Sequence, residues 1–316
     1  MYAEAIAEAV ERIPIGEAGR SGTRLEKVRL SDGSALVVKR TSAAYDRVTQ
    51  TTGGHGREPR LFLSGAFRTL PPGVGHAIVE AWAEGDEWVI LMRDVSAGLI
   101  PGDHVATYGE VERVLTGLSA LHRAYASGPR PAPLCPLPLM LGNLYPGKIA
   151  AVRADHDFPG LVLRGWQRFH EVVPADISAA VRAVHHDHSG LADRLGRFPS
   201  TFLHGDPWLV NCSLMPDEIV FFDWALAAWG PPAIDLSVFL AGHGSRIQPS
   251  REEVLVRFRE LSGGLHDATA TRLALSAGLA LMGWNKALDV TEHPDPAKRA
   301  RERADLDWWI SHFDLS

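Results

Sequence analysis

The stretch from Phe202 to Trp224, "FLHGDPWLVNCSLMPDEIVFFDW", decides how this chain is read. It is mostly apolar, yet it carries a His-Gly-Asp, an Asn five residues after that Asp, and a second Asp twelve residues after the Asn. The run after Asn211 reads as a β-hairpin turning at Pro216-Asp217. A hairpin returns its second strand beside the start of its first, which brings Asp223 back toward Asn211 and Asp206. Three oxygen-bearing side chains then converge at one sheet end. Carboxylate and amide oxygens suit a hard cation such as Mg²⁺, which takes few protein ligands and fills its shell with water and phosphates.

Upstream of this stretch the chain changes character once. "LEKVRLSDGSALVVKR" is two β-prone runs joined at Asp32-Gly33, and "HAIVEAWAEGDEWVILMRDV" repeats the pattern around Gly85-Asp86. Between them "GREPRLFLSGAF" predicts a short helix beginning near Pro59. After Asp94 helical periodicity takes over. In "TYGEVERVLTGLSALHRAYAS" Val111, Val114, Leu115, Leu118 and Leu121 share one face, behind a capping box of Thr107 and Glu110. Ser250 with Glu253 repeats that signature, and Gly263-Gly264 should end the helix that follows. The Pro-rich "GPRPAPLCPLPLMLGNLYPG" reads as a long loop. The expectation is an α+β chain of two lobes, an antiparallel β-rich unit over residues 1–95 and a larger, mainly helical unit over 96–316.

Composition excludes several function classes. The 316 residues are 46% hydrophobic and 22% charged, within the ordinary globular range. A net charge of -6 argues against a general nucleic-acid binder. Cys135 and Cys212 are far apart and in no metal-type spacing, so disulfide stapling is not expected. "MYAEAIAEAVERI" lacks the basic start of a secretory signal, and "LALSAGLALMGW" is too short to span a membrane. The reading is a cytoplasmic protein, monomeric or homodimeric, with no nucleic-acid or membrane partner.

The opening stretch resembles the aminoglycoside phosphotransferase and choline kinase-like family, distant relatives of protein kinases. "HGDPWLVN" matches the family's His-Gly-Asp-x-x-x-x-Asn, "FFDW" its metal-binding Asp-Trp, and "GPPAIDL" follows at the expected distance. The resemblance implies a two-lobed protein-kinase-like fold with ATP, or GTP, in the cleft. It implies that Asp206 orients the acceptor hydroxyl and takes its proton, and that Asn211 and Asp223 hold Mg²⁺ on the nucleotide phosphates. In "SALVVKR", Lys39 stands where the phosphate-binding lysine belongs, and Glu58 of "GREPRLF" is its helix-borne partner. "WVILMRDV" resembles the segment joining the lobes, with the adenine meeting its backbone around Met92 to Asp94. "GEAGRSGTRLEKV" stands at the phosphate-covering loop, with Gly19, Ser21, Gly22 and Thr23 as contacts, although it lacks a clean Gly-x-Gly-x-x-Gly. Resemblance runs in pieces from about residue 16 to 240 and implies an ATP- and Mg-dependent O-phosphotransferase acting on a small-molecule alcohol.

Each residue has a plainer reading beside the functional one. Asp206 alone would be a turn residue; the spacing to Asn211 and Asp223 lifts it. Lys39 alone would be a strand-end surface lysine, but lysine is scarce here and Glu58 follows. His204 reads as a buried brace of its loop, and Asp235 as a structural acceptor for the loop backbone. "AVHHDHSG" lacks zinc-type spacing and reads as a solvated helix end. Trp284, Asp289 and Trp308 are expected acceptor contacts, since the family builds its acceptor pocket in this C-terminal region; core aromatics are the alternative for the tryptophans. An antibiotic such as an aminoglycoside or another sugar-bearing compound is the first acceptor expected, and a metabolite such as choline, a sugar or an amino alcohol the second. The other classes weighed are a non-catalytic nucleotide-binding regulatory module and a metal-dependent hydrolase built on the His/Asp clusters. No Gly-x-x-x-x-Gly-Lys-[Ser/Thr] supports a P-loop enzyme, and no Asp-Phe-Gly or Ala-Pro-Glu a protein kinase.

Overall fold

The computed structural model describes residue 6 and residues 8–15, 21–102, 104–153, 156–187 and 189–316. The first unit is a five-stranded antiparallel sheet in the order β1-β2-β3-β6-β5, formed by β1 (Glu11–Pro14), β2 (Arg24–Arg29), β3 (Ala35–Thr41), β5 (Ile78–Glu84) and β6 (Glu87–Arg93). Both hairpins fall where the turn residues put them: Arg29 pairs with Ala35 across the Asp32-Gly33 turn, and Glu84 with Glu87 across Gly85-Asp86. Two short helices lie between β3 and β5, α1 (Arg47–Thr52) and α2 (Arg57–Leu63). The second begins two residues ahead of the expected Pro59.

Strand periodicity sorts the faces of this sheet. Val38 joins Ile6, Val28, Val89 and Leu91 in a small cluster on one face. Val37 and Lys39, one residue to either side, must point to the other face, toward the second unit. The short strand β4 (Val74–His76) does not join this sheet. It pairs in parallel with β9 (Ile219–Phe221), which pairs antiparallel with β8 (Cys212–Leu214). A segment expected within the first lobe thus pairs with a sheet of the second, so the two units are tied together there as well as at the segment after Arg93.

The second unit is mainly helical, as expected. It contains α3 (Tyr108–Tyr125), α4 (Leu137–Leu141), α5 (Pro146–Ile149), α6 (Phe158–Val172), α7 (Ala175–His186), α8 (Gly190–Leu195), α9 (Ala233–His243), α10 (Arg251–Ser262), α11 (Ala268–Glu292) and α12 (Pro296–Ser311). Strands β7 (Thr201–Leu203) and β10 (Ala228–Gly230) pair as a short antiparallel ribbon. Both capping boxes form, at Thr107/Glu110 and Ser250/Glu253, and α10 stops before Gly263. The Pro-rich stretch is not one long loop. It holds α4 and α5, each with Pro in its first turn, where the ring's fixed φ suits a helix start. Cys135 and Cys212 are buried and free. Among the described residues no helix is long and apolar enough to cross a membrane.

Close packing of α6 on α11 shapes the cleft, because these helices carry Phe158, Leu281, Met282 and Trp284 into its lining. The approach depends on Gly165: a Cβ there would stand 2.6 Å from the Trp284 carbonyl oxygen, with backbone rather than a flexible side chain in the way. Gly165→Ala should therefore destabilise the chain by about 1–3 kcal/mol through overpacking. Gly109→Ala, in the first turn of α3 with open space around it, should be neutral or slightly stabilising. Thermal unfolding of both variants beside the parent checks the contrast.

Candidate active site

The hairpin inferred around Asn211 forms. Cys212 pairs with Phe221, and the Phe222 amide donates to the Asn211 carbonyl at 3.0 Å, so Asn211 and Asp223 lie side by side at one end of β8 and β9. Asn211 donates its Nδ2 to both the backbone oxygen and Oδ2 of Asp206, each at 3.0 Å, leaving its Oδ1 as the atom a cation would take. Asp223 sits in the left-handed region at φ 63°, which Asp tolerates better than most side chains. Non-glycine residues at positive φ are uncommon and cluster at functional sites.

Gly205 is required between His204 and Asp206. Its φ is +84°, and a Cβ would stand 2.1 Å from the Leu226 carbonyl oxygen. The loop is held from behind by fully buried Asp235, whose Oδ2 accepts from the His204 amide at 2.9 Å and whose Oδ1 accepts from the Gly205 amide at 2.9 Å. His122 Nε2 lies 2.8 Å from the same Oδ2. His204 is the brace expected of it. Its Nδ1 accepts from the Asp206 amide at 3.2 Å and its Nε2 meets the Phe222 carbonyl at 3.1 Å, joining the two halves of the site. Burial holds the His204 ring below its ordinary pKa, so it stays neutral.

Lys39, 4% exposed, bridges the lobes: its Nζ lies 2.7 Å from Glu58 Oε2 and 2.8 Å from Asp223 Oδ1. Burial alone would lower its pKa, but Asp223 and Glu58 outweigh that and raise it, so the ammonium is permanent. Glu58 Oε1 also accepts from the Trp224 amide at 3.1 Å. Although burial opposes ionisation of Asp223, Lys39 holds its carboxyl below the usual range. Asp206 behaves oppositely. Burial, then the Asp223 charge, push its carboxyl up to about 7, with Arg47 opposing.

The remaining expected contacts divide. Ser21, Gly22 and Thr23 line the main cleft of about 1230 Å³ with Asp206, Asn211 and Asp223, and Ser21 and Thr23 also line a small cavity with Lys39, Glu58 and Asp223. Gly19, and Arg20 beside it, lie outside the described residues. Met92 is buried in the core, paired with Val37, and Asp94 forms an ion pair with Lys27 at 2.6 Å. Neither lines the cleft, although a backbone contact to adenine does not require their side chains to. Trp284 is fully buried, lines the cleft and meets Phe158 edge-on at 5.6 Å. Trp308 and Asp289 are not part of that lining. Trp308 donates to Glu252 and stacks on His312, and Asp289 pairs with Lys298 at 3.7 Å. Helix packing turns both away from the cleft that Trp284 reaches.

"AVHHDHSG" is not uniformly solvated. His186 and Asp187 are exposed, but His185 is half-buried against Tyr145 and Trp166; His188 lies outside the described residues. Among the described residues no three His, Cys, Asp or Glu side chains assemble a metal cluster. The donor set of Asn211 and Asp223 instead fits Mg²⁺, a cation that relies on phosphates and water for most of its shell. Sequence reasoning missed Arg47, Asn143, His156 and Phe158, all lining the cleft. Their segments carry no motif that singles them out in the sequence.

A family model described as "Phosphotransferase enzyme family" matches residues 90–275, more than half of the chain. Comparison with curated proteins found no match. Among solved structures, the choline kinase LicA from Streptococcus pneumoniae aligns with a TM-score of 0.57 at 9% identity, covering 98% of this chain and 96% of that one. The aminoglycoside phosphotransferase APH(3'')-Id from Streptomyces rimosus aligns at 0.53 and 17% identity, over 89% and 96% of the chains. In its complex with ADP and streptomycin it aligns at 0.51 and 16% identity, over 84% and 94%. At these identities the structures establish the kinase-like fold, and the family model establishes the rest: the chain belongs to the phosphotransferase enzyme family, whose members are kinases acting on hydroxyl groups.

Proposed function

We propose that this chain is a catalytically competent, Mg-dependent O-phosphotransferase that moves the γ-phosphoryl of ATP, or of GTP, to a hydroxyl of a small molecule. The observation that carries this reading is the buried bridge of Lys39 to Glu58 and Asp223, with Asp223 lining the same cleft as Asp206 and Asn211. A regulatory module would have no need of a carboxylate poised near neutrality beside a fixed cation. Bound Mg²⁺, held by Asn211 and Asp223, would neutralise phosphate charge as the leaving oxygen departs. Asp206 orients the acceptor hydroxyl and takes its proton as the new P–O bond forms and the bond to the leaving nucleoside diphosphate breaks. Its neighbours keep it from ionising too readily, which makes it a better base than a surface aspartate.

The acceptor reading shifts with the cleft. Arg24, Arg40, Arg47 and Arg246 line it against Glu26, Asp157, Asp206 and Asp223, and the last two are committed to the centre. A polycationic aminoglycoside asks for a surplus of carboxylates that the described residues of this lining do not offer. Phe158, Leu161, Leu281, Met282 and Trp284 favour an acceptor with an apolar body, such as another sugar-bearing antibiotic or a neutral metabolite alcohol. A dependence on ATP fits a cytoplasmic site of action, and with an antibiotic as acceptor the chain would serve resistance or self-protection.

The test is Mg²⁺-dependent transfer from ATP and, separately, GTP across aminoglycosides, other glycosylated antibiotics, sugars and amino alcohols, with product masses recorded. One acceptor should gain a single phosphate. Asp206→Asn should lower kcat about 10²–10⁴-fold with little change in nucleotide affinity. A comparable loss of affinity would remove Asp206 from the role of base.

With Asp206 at about 7, kcat/KM in the free enzyme should rise with pH to a plateau above neutrality and fall about tenfold per unit below it. Asp206→Asn should abolish that limb. Stability should move the other way. Folded Asp206 holds its proton more tightly than the unfolded chain does, so ionisation destabilises the fold progressively from about pH 4 to pH 7. Asp206→Asn should accordingly raise the unfolding temperature at pH 8 more than at pH 4. An equal shift at both values would contradict the electrostatic account.

A further inference from the structure

Lys39 is already shared between two carboxylates, and the nucleotide brings several more negative charges. Among the cations lining the main cleft with Asp206, Asn211 and Asp223, one comes from an unexpected place. Arg47, the first residue of α1, donates its backbone amide to the Ser21 carbonyl at 2.7 Å, which ties it to the edge of the phosphate-covering loop. The residue is only 7% exposed, and its guanidinium reaches across to the other lobe. There Nη1 donates to Asn143 Oδ1 at 3.0 Å, and the guanidinium carbon lies 5.3 Å from the centre of the Phe158 ring. It is near enough to both Asp206 and Asp223 to oppose, with its positive charge, the burial that pushes their carboxyls up.

A second observation points to an anion at the same place. His156 lines the cleft beside Phe158, and its Nδ1 accepts from the Phe158 amide at 3.3 Å. In the neutral ring the proton must then lie on Nε2. That atom is buried and has no hydrogen-bond partner among the described residues. It faces the phosphate-covering loop, since a Cβ on Gly22 would stand 3.1 Å from it. A buried N–H donor without an acceptor is costly unless a ligand supplies one.

We propose that Arg47 is a catalytic residue of the transfer, its guanidinium gripping the non-bridging oxygens of the γ-phosphoryl with His156 Nε2–H as a companion donor. The proposal rests on the phosphotransferase reading above. Arginine suits the task because its planar fork of donors matches phosphate oxygens and stays charged at every working pH. Placed on α1 and reaching Asn143, it would couple closure of the lobes to the presence of the third phosphate.

Calorimetric titration of the full chain with Mg·ADP and with Mg·AMP-PNP tests this without needing the acceptor. Arg47→Gln keeps an N–H for Asn143 but loses the charge, whereas Arg47→Lys keeps the charge but loses the fork. Arg47→Gln should weaken Mg·AMP-PNP about tenfold or more and Mg·ADP by less than about twofold, with Arg47→Lys between. A structural latch between the lobes would weaken both nucleotides alike. An anion site for the acceptor would leave both unchanged. Either result overturns the assignment. If the Arg47 variants fail to fold, His156→Ala carries the same test: a loss of about threefold or more confined to Mg·AMP-PNP supports the cradle, and an equal or absent effect overturns it. Failure of the unaltered chain to bind any nucleotide would instead remove the phosphotransferase reading, and this proposal with it.

Discussion

The contact on which the rest of the structure depends is the buried bridge from Lys39 to Glu58 and Asp223. Its members come from a strand of the first sheet, a helix packed behind that sheet, and the end of a strand in the second unit. Burying three charges is expensive, and a hydrophobic cluster of similar volume would often be at least as stable. Specificity is the better account of why they are there. Only one relative placement of the lobes lets Lys39 meet both carboxylates while Glu58 accepts from the Trp224 amide. That placement also brings Ser21, Gly22 and Thr23 into the lining of the same cleft as Asp206 and Asn211.

Two carboxylates of the site are driven to opposite protonation behaviour by their surroundings. Asp223 stays ionised because Lys39 touches it, and Asp206 resists ionisation because it is buried near that charge, which Arg47 opposes without outweighing. Environments that push two acids apart let one site hold carboxyl groups of different protonation near neutral pH. The arrangement costs stability, which the scaffold behind it offsets. Asp235 fixes the backbone on both sides of the His204–Gly205 bond, and His204 ties the loop to Phe222.

Much of this was legible in the sequence, for reasons that differ by element. The hairpins at Asp32-Gly33 and Gly85-Asp86 and the capping boxes at Thr107 and Ser250 are local, and local chemistry determined them. Asp206, Asn211 and Asp223 were legible because a hairpin converts sequence spacing into proximity, and Lys39 with Glu58 through their likeness to a known pattern. What stayed hidden depends on tertiary packing. Nothing in "SAAYDRVTQTT" says that Arg47 reaches Asn143 nearly a hundred residues away, a separation of 96 positions. Trp284 and Trp308 looked alike as aromatic residues on C-terminal helices, yet only the first faces the cleft, because Gly165 lets α11 close on α6. The pairing of β4 with β9 was hidden for the same reason: three residues give too little pattern to show which sheet they join.

A crystal structure of the chain with Mg²⁺ and AMP-PNP tests the central claim most directly. The account predicts one Mg²⁺ about 2.1 Å from Asn211 Oδ1 and from an Asp223 carboxylate oxygen, bridging phosphate oxygens, with Lys39 on the same phosphates and Asp206 facing the γ-phosphoryl. Nucleotide bound away from this cleft, or a metal held by other side chains, would contradict it.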